Sequence, residues 1–311
     1  MRQEQADPPG GALPQPGIGL SYIAELPAEL YAADLLDFVE LTPEALCHEV
    51  ATATGRHLAL REDALAEAQA RCGALPIAVH GVELSIGSAH GMNDTYLAML
   101  DRLQAAWPFL WHSEHLHFQT LPDGPRGSRD IGVPLPLPAT EEAACLLASR
   151  AAAIGRRYGV PFLLENGACY LRDVPAEPAL GDDIGLLNRI ATLSGCGQLL
   201  DLHNLHCNAI NLGIDALAAL ARIDLGAVVE IHLAGGQWDC GFYTDAHSGA
   251  VPEPVWDLLA ACLPRTPRLR GVVFEILETH ALPFGAGRIA REVERARASL
   301  RQARPALPVA A

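Results

Sequence analysis

Apolar residues in this chain gather into eight short runs separated by longer stretches in which apolar positions recur at helical spacing. The runs are GIGLSYI (17–23), DFVELTP (37–43), PIAVHGVEL (76–84), PFLWHSEHLHF (108–118), PFLLENG (161–167), GQLLDLHN (197–204), VVEIHLAG (228–235) and GVVFEIL (271–277). Their length and apolar density suit strands buried on both faces. The helical stretches include DTYLAMLDRLQAAW, TEEAACLLASRAAAIGRRYG, DIGLLNRIATLSG, GIDALAALARI and PVWDLLAACL. Asn93 or Asp94, Thr140 followed by Glu142, and Asp182 or Asp183 stand where N-caps belong, and Gly159 and Gly195 stand where helices end. Eight strands, each followed by a crossover helix, predict an α/β chain folded as a single (β/α)8 TIM barrel over residues 17–303. A doubly wound open sheet would gather its chemistry at one switch point. Here candidate groups come from at least six strands, which favours the barrel. Residues 1–16, rich in Pro, Gly and Gln, read as a disordered arm, and residues 304–311 as a flexible tail.

The polar residues that end these runs are chemically alike: His80, His115, Glu165, Asp201, His203, His232, Asp245, His247 and Glu275. At the carboxyl end of a barrel strand such side chains point into the active-site mouth. His80 taken alone reads as a hydrogen-bonded core histidine before it reads as a ligand. In PFLWHSEHLHF, alternation puts His115 and His117 on one face and His112 and Glu114 on the other. The late position favours His115 as a ligand, with His112 deeper in the barrel and Glu114 orienting a ligand from behind. Glu165 closes an apolar strand, where a carboxylate must be paired or metal-bound; sharing it between two cations meets that need. Asp201 and His203, two apart, face one way at the sixth strand's end, and His206 falls in the loop beyond. Asp245 and His247 lie on the loop after the seventh strand, while Glu278 and His280 read as surface or lid residues. Imidazole and carboxylate without thiolate favour iron, manganese or zinc over an iron–sulfur cluster, and nine such groups suit two or three ions.

Composition narrows the partners. The 311 residues carry 22 basic against 37 acidic side chains, a formal charge of −15, and every basic residue is arginine. That balance argues against nucleic acid, which needs clustered positive charge. No apolar run approaches the roughly 20 residues of a membrane span. The opening MRQEQADPPGGALPQPG lacks a secretion signal's basic and hydrophobic regions, so a cytoplasmic location is expected. Eight cysteines without a CxxC pair read as reduced, mostly buried thiols, with Cys207 and Cys240 near the candidate ligands. Two other readings compete with a redox enzyme. One is a zinc- or manganese-dependent barrel of the sugar-isomerase kind, which the absence of lysine weakens; the other is a non-catalytic metal-binding subunit.

The segments HGVELSIGS, SEHLHF, LLENG, LLDLHNLHCNA, IHLAGG, TDAH and the final FEI occur here in that order. Together they make the chain, from about Gly17 to about Phe284, resemble the multinuclear non-heme iron-dependent oxidative enzymes, which include the methanobactin-biosynthesis oxidase. The resemblance implies a barrel holding two or three irons and using O2 as co-substrate. It implies that His80, His115 and Glu165 hold one iron, and that Glu165 bridges to a second held by Asp201, His232 and Glu275. His203, Asp245 and His247 would form a third site, where many relatives carry Asn in place of His203. Glu165 and Asp201 are taken as the catalytic carboxylates. The implied substrate is a residue, often cysteine, in a ribosomally made precursor peptide, presented with the help of a small partner protein. The loop LPDGPRGSRDIGVPLPLP (121–138) reads as an insertion without an assigned role.

Overall fold

The computed structural model describes residues 16–52, 55–123 and 128–303. All eight apolar runs form strands: β1 (Gly17–Ser21), β2 (Phe38–Leu41), β3 (Ile77–Gly81), β4 (Phe109–His115), β5 (Phe162–Glu165), β6 (Gly197–Asp201), β7 (Val228–Leu233) and β8 (Gly271–Phe274). They close into one parallel barrel in sequence order, with β1 pairing both β2 and β8. This is the (β/α)8 fold the periodicity predicts. The residues expected to form the N-terminal arm and the C-terminal tail, Pro16 apart, lie outside the described residues.

The helices are α1 (Glu62–Cys72), α2 (Asp94–Ala106), α3 (Glu141–Tyr158), α4 (Asp183–Ser194), α5 (Leu202–Leu212), α6 (Ala216–Arg222), α7 (Glu253–Cys262), α8 (Glu278–Phe284) and α9 (Ala286–Ala303). Their boundaries follow local chemistry. Asn93, Thr140 and Asp182 accept backbone hydrogen bonds as N-caps of α2, α3 and α4, each worth about 1 kcal/mol. Gly159 and Gly195 end α3 and α4 in the left-handed conformation. On α3, Ala144, Leu147, Ala148, Ala151 and Ile154 form one buried stripe against the barrel. None of the described helices is long and apolar enough to cross a membrane.

One part of the alternation departs from expectation: β1 and β2 are joined by a 3-10 turn, Ala28–Tyr31, and not by an α-helix. Among the described residues, three antiparallel hairpins are added to the barrel. Cys47–Thr52 pairs with Gly55–Leu60 before α1, Phe118–Pro122 with Ser128–Leu135 before α3, and Gln237–Asp239 with Phe242–Thr244 before α7. The second hairpin accounts for most of the insertion after β4.

Two apolar layers result. A large one lies between barrel and helices; a small one fills the barrel floor with Phe38, Ala78, Trp111, Leu163, Leu199, Val229 and Val273. Phe38 and Trp111 meet edge to face, with ring centroids 5.1 Å apart. Gly19 is required beside them, because a Cβ there would lie 2.6 Å from the Phe38 ring. The floor is therefore solid, and any chemistry must occur above it.

All eight cysteines are free thiols. Only Cys72, Cys207 and Cys262 are buried, whereas Cys145 and Cys240 are exposed, so the thiols are less buried than expected.

Candidate metal centre at the barrel mouth

Register determines what faces the mouth. Glu40 is aligned with Ser21 and Ala78, His80 with Ser113, His115 with Glu165, Glu165 with Leu199, and His232 with Asp201 and Val273. Continuing the inward rows that begin at Phe38, Ala78, Trp111, Leu163, Leu199 and Val273, the last inward position of each strand is Ser21, Glu40, His80, His115, Glu165, Asp201, His232 and Glu275 in turn. Six of these eight are candidate ligands. Two irregularities set this phase, one in β4 between Phe109 and His112 and one in β7 between Val228 and Glu230.

The imidazoles are oriented from behind. His80 Nδ1 lies 3.0 Å from Ser113 Oγ, His115 Nδ1 lies 3.1 Å from the Gly81 carbonyl, and His232 Nε2 lies 2.9 Å from Glu40 Oε2. The other nitrogens point at carboxylates. His80 Nε2 and His115 Nε2 lie 3.4 and 3.2 Å from Glu165 Oε2, and His232 Nδ1 lies 2.8 Å from Glu275 Oε2. The carboxylates are likewise held by one oxygen only. Asn204 Nδ2 donates to Glu165 Oε1 at 3.1 Å, and Asn204 N donates to Asp201 Oδ1 at 2.7 Å. Asn166 braces Asp201 through both backbone groups.

Four converging buried atoms make no well-aligned hydrogen bond, Glu165 Oε2, Asp201 Oδ2, His232 Nδ1 and His247 Nε2, although three of them lie within 3.2 Å of an oppositely charged or basic mouth group. Leaving such atoms unpaired costs roughly 1–3 kcal/mol each, more when charged. Lone pairs spaced in this way, with the far ring nitrogens tied to protein acceptors or hydroxyls, are how histidine and carboxylate groups surround a cation. Ligand-type atoms lie within 4.8 Å of one another in the groups His80–His115–Glu165, His80–His232–Glu275 and Glu165–Asp201–His232. The donor set therefore fits a metal.

Beyond the strands, His203 Nδ1 and His247 Nε2 lie 2.8 and 3.0 Å from Asp245 Oδ1, and His247 Nε2 lies 3.7 Å from Glu275 Oε2. Cys207 joins this cluster, its Sγ 3.7 Å from His203 Nδ1. The His203 ring is admitted by Gly236, where a Cβ would fall 2.7 Å from Nε2.

Charge in the mouth is frustrated. Burial pushes the Glu165 carboxyl up to about 8 and Asp201 well above the carboxylate range, with Asp245 and Glu165 adding to the latter. Burial also drives His80 far below the ordinary imidazole value. For His232 burial acts in the same direction, but Glu275 and Glu40 outweigh it and raise the pKa. A cation would relieve these conflicts together.

The structure thus brings all nine sequence-derived residues to one mouth, but some of their settings differ from expectation. His203 and His206 are not on a continuing strand or in a loop. Asp201 caps α5, and both histidines lie in that helix. His112 does not fill the barrel, and Glu114 does not orient a mouth ligand. They face the helices, where His112 Nε2 and Glu114 Oε1 pair at 2.8 Å beside Phe162 and Tyr158. Glu40, Ser113, Asn166 and Asn204 were missed as supporting residues. Asn204, three residues after Asp201, carries a readable capping signal.

A cavity of about 430 Å3 adjoins the mouth, with His115, Asn204 and Asp245 on one side and Leu135, Leu137, Leu171 and Ile184 among its apolar walls.

These features define a TIM-barrel protein whose mouth is a histidine–carboxylate cluster able to hold metal. The profile described as RiPP precursor modification enzyme MbnB/TglH/ChrH, for ribosomally synthesised and modified peptides, matches residues 17–301, and the chain belongs to that family. A UPF0276 protein of Anaeromyxobacter sp. (strain Fw109-5) is 33% identical over 253 residues, covering 81% of this chain and 83% of the relative. A UPF0276 protein of Chromobacterium violaceum is 38% identical over 181 residues, 58% of this chain and 63% of the relative. Among solved structures, a xylose isomerase domain containing protein from Salmonella typhimurium LT2 superposes with a TM-score of 0.56 at 14% identity, covering 91% of this chain and 96% of that one. D-psicose 3-epimerase gives 0.53 at 12%, covering 92% and 99%. At such identities the likeness is one of fold alone.

Proposed function

We propose that this protein performs an iron- and O2-dependent oxidative modification of a residue, cysteine in the first instance, within a ribosomally made precursor peptide. The family supports the peptide substrate, and the observation that carries the metal is the convergence of four buried ligand atoms without a well-aligned hydrogen bond, from β5, β6, β7 and the loop beyond. His80, His115 and Glu165 would hold one ion; Asp201, His232 and Glu275 would hold a second, with Glu165 shared. His203, Asp245 and His247 would hold a third. Iron bound there would supply one-electron chemistry and O2 activation, which no side chain offers.

The chain's own residues do the rest. Ser113, the Gly81 carbonyl and Glu40 fix the imidazole rings. Asn166 and Asn204 hold Asp201 and Glu165 so that one oxygen of each faces the centre. The Phe38–Trp111 floor excludes water from below. The neighbouring apolar cavity would seat a side chain of the peptide and bring the reacting residue beside His115 and Asp245. A small partner protein would present the remainder of the peptide.

The test is anaerobic iron loading followed by oxygen-electrode measurement, with co-expressed short peptides examined by mass spectrometry. O2 uptake only in the presence of the peptide, with a mass change in that peptide, is expected. Failure to take up iron, or full activity with zinc alone, would replace this reading with an isomerase-like or non-redox one.

A further inference from the structure

We propose that Glu44 is a positioning residue for His115, acting on it through the peptide unit that joins Gly81 to Val82. The inference rests on the reading of His115 as a metal ligand and reaches one layer beyond the residues that touch the mouth. Gly81 ends β3, and its carbonyl lies 3.1 Å from His115 Nδ1. A carbonyl can only accept, so the ring carries its proton on Nδ1 and keeps the Nε2 lone pair for the centre. The N–H of the same planar unit belongs to Val82 and donates to Glu44 Oε1 at 2.8 Å. Glu83 N donates to that oxygen too, at 2.7 Å. Carboxylate, peptide and imidazole thus form one hydrogen-bonded line. Its links polarise one another, because a charge drawing on the N–H makes the carbonyl a better acceptor. Glu40 backs His232 in the same way, without the intervening peptide.

Three further observations agree. The β3–β4 ladder ends where Gly81 pairs with Glu114, so the next two amides, Val82 and Glu83, are taken up by Glu44. His115 keeps 29% of its side-chain surface exposed, against 5% for His80 and none for His232, and is the strand-held ring most in need of a brace. The charge on Glu44 is also held at a cost. Its Oε2 is out of solvent reach without a hydrogen-bond partner, and burial, followed by repulsion from Glu114, pushes the carboxyl up to about 7. A neutral side-chain oxygen would brace the turn without that cost. Glu44 stands on the 3-10 turn Pro43–Leu46 directly after β2. That strand supplies no candidate ligand, yet its end and the turn beyond supply the carboxylates behind two of them.

Anaerobic iron(II) titration of metal-stripped protein against a chelator, at a pH above the Glu44 value, tests this, with NMR of the histidine-labelled, zinc-loaded protein beside it. Glu44→Gln keeps the shape and an acceptor oxygen but not the charge. It should weaken one ion about tenfold, leave the others and the melting temperature unchanged, and move the His115 Nδ1–H resonance upfield. In a His115→Ala background the same substitution should weaken nothing further. Unchanged affinity and an unmoved resonance in Glu44→Gln overturn the proposal and leave the metal centre standing. Equal weakening of all ions together with a lower melting temperature overturns it as well, since that is the mark of a fold residue. If His115→Ala binds every ion as tightly as the parent, His115 is no ligand, and the reading beneath the proposal falls with it.

Discussion

Six of the candidate ligands stand on barrel strands or directly at their ends, and three stand on a helix and a loop beyond them. His80, His115, Glu165, Asp201, His232 and Glu275 inherit their positions from the register of the closed sheet. Moving one means breaking ladder hydrogen bonds on both sides. His203, Asp245 and His247 depend on local devices: the start of α5, a Tyr170 hydroxyl accepting from Asp245 N, and one left-handed residue. Asp245 and His247 also keep 20% and 18% of their side-chain surface exposed, against 3% for Glu165. The strand-held set is preorganised; the outer set is adjustable. Chemistry that tolerates no misplacement belongs to the first.

The sharpest attempt to break this contrast is Glu165→Gln. Losing the shared carboxylate should remove two ions and reduce metal affinity by more than about 100-fold, beyond the loss typical of a supporting residue. Elemental analysis and peptide mass spectrometry would read it, and retention of three ions would refute the shared role. His247→Ala should lower the metal content by one ion and leave the strand-held pair loaded. Loss of all ions would show the two sets to be one cooperative unit. Glu40→Gln removes the carboxylate behind His232, and affinity at the pair should fall about 10- to 100-fold without loss of the fold. An unchanged affinity would show that the His232 ring needs no such support.

The smallest effect is on stability. Burial raises Glu165 and Glu114 to about 8 from the ordinary value of 4.5. Folded chains keep these protons up to about pH 8, whereas unfolded chains release them near 4.5. Unfolding therefore releases protons within that window, and the metal-free protein should lose stability as pH rises from about 5 to 8. Loading a cation displaces the Glu165 proton and reverses its contribution, so melting temperature should depend less steeply on pH. Identical slopes with and without metal would argue against Glu165 as a ligand.

The fold was legible because its strands are buried on both faces and its helices carry explicit caps such as Thr140 and Asp182. The mouth was legible for a related reason, since a histidine or carboxylate ending a wholly apolar run has few other uses. What the sequence hid was phase. Alternation along PFLWHSEHLHF does separate His112 and Glu114 from His115, but it does not tell which of the two faces turns inward at the depth of His112, which the irregularity between Phe109 and His112 sets. Glu40 was missed because DFVELTP places it inside an apolar run, and only its alignment with Ser21 and Ala78 turns it inward. Asp201 followed by Asn204 is a helix start that was read as strand, and with it the setting of His203 was misjudged.

The hairpins after β4 and β7 are antiparallel additions that contribute no strand to the barrel. One of them, through Leu135, borders the cavity where a peptide would sit. Because His80 and His115 are fixed by the β3–β4 ladder, the hairpin after β4 can be lengthened, shortened or exchanged without moving them, whereas the one after β7 leads straight into Asp245. A lineage built on this scaffold can therefore acquire new clients by rewriting that one loop and leave the strand-held groups where they stand.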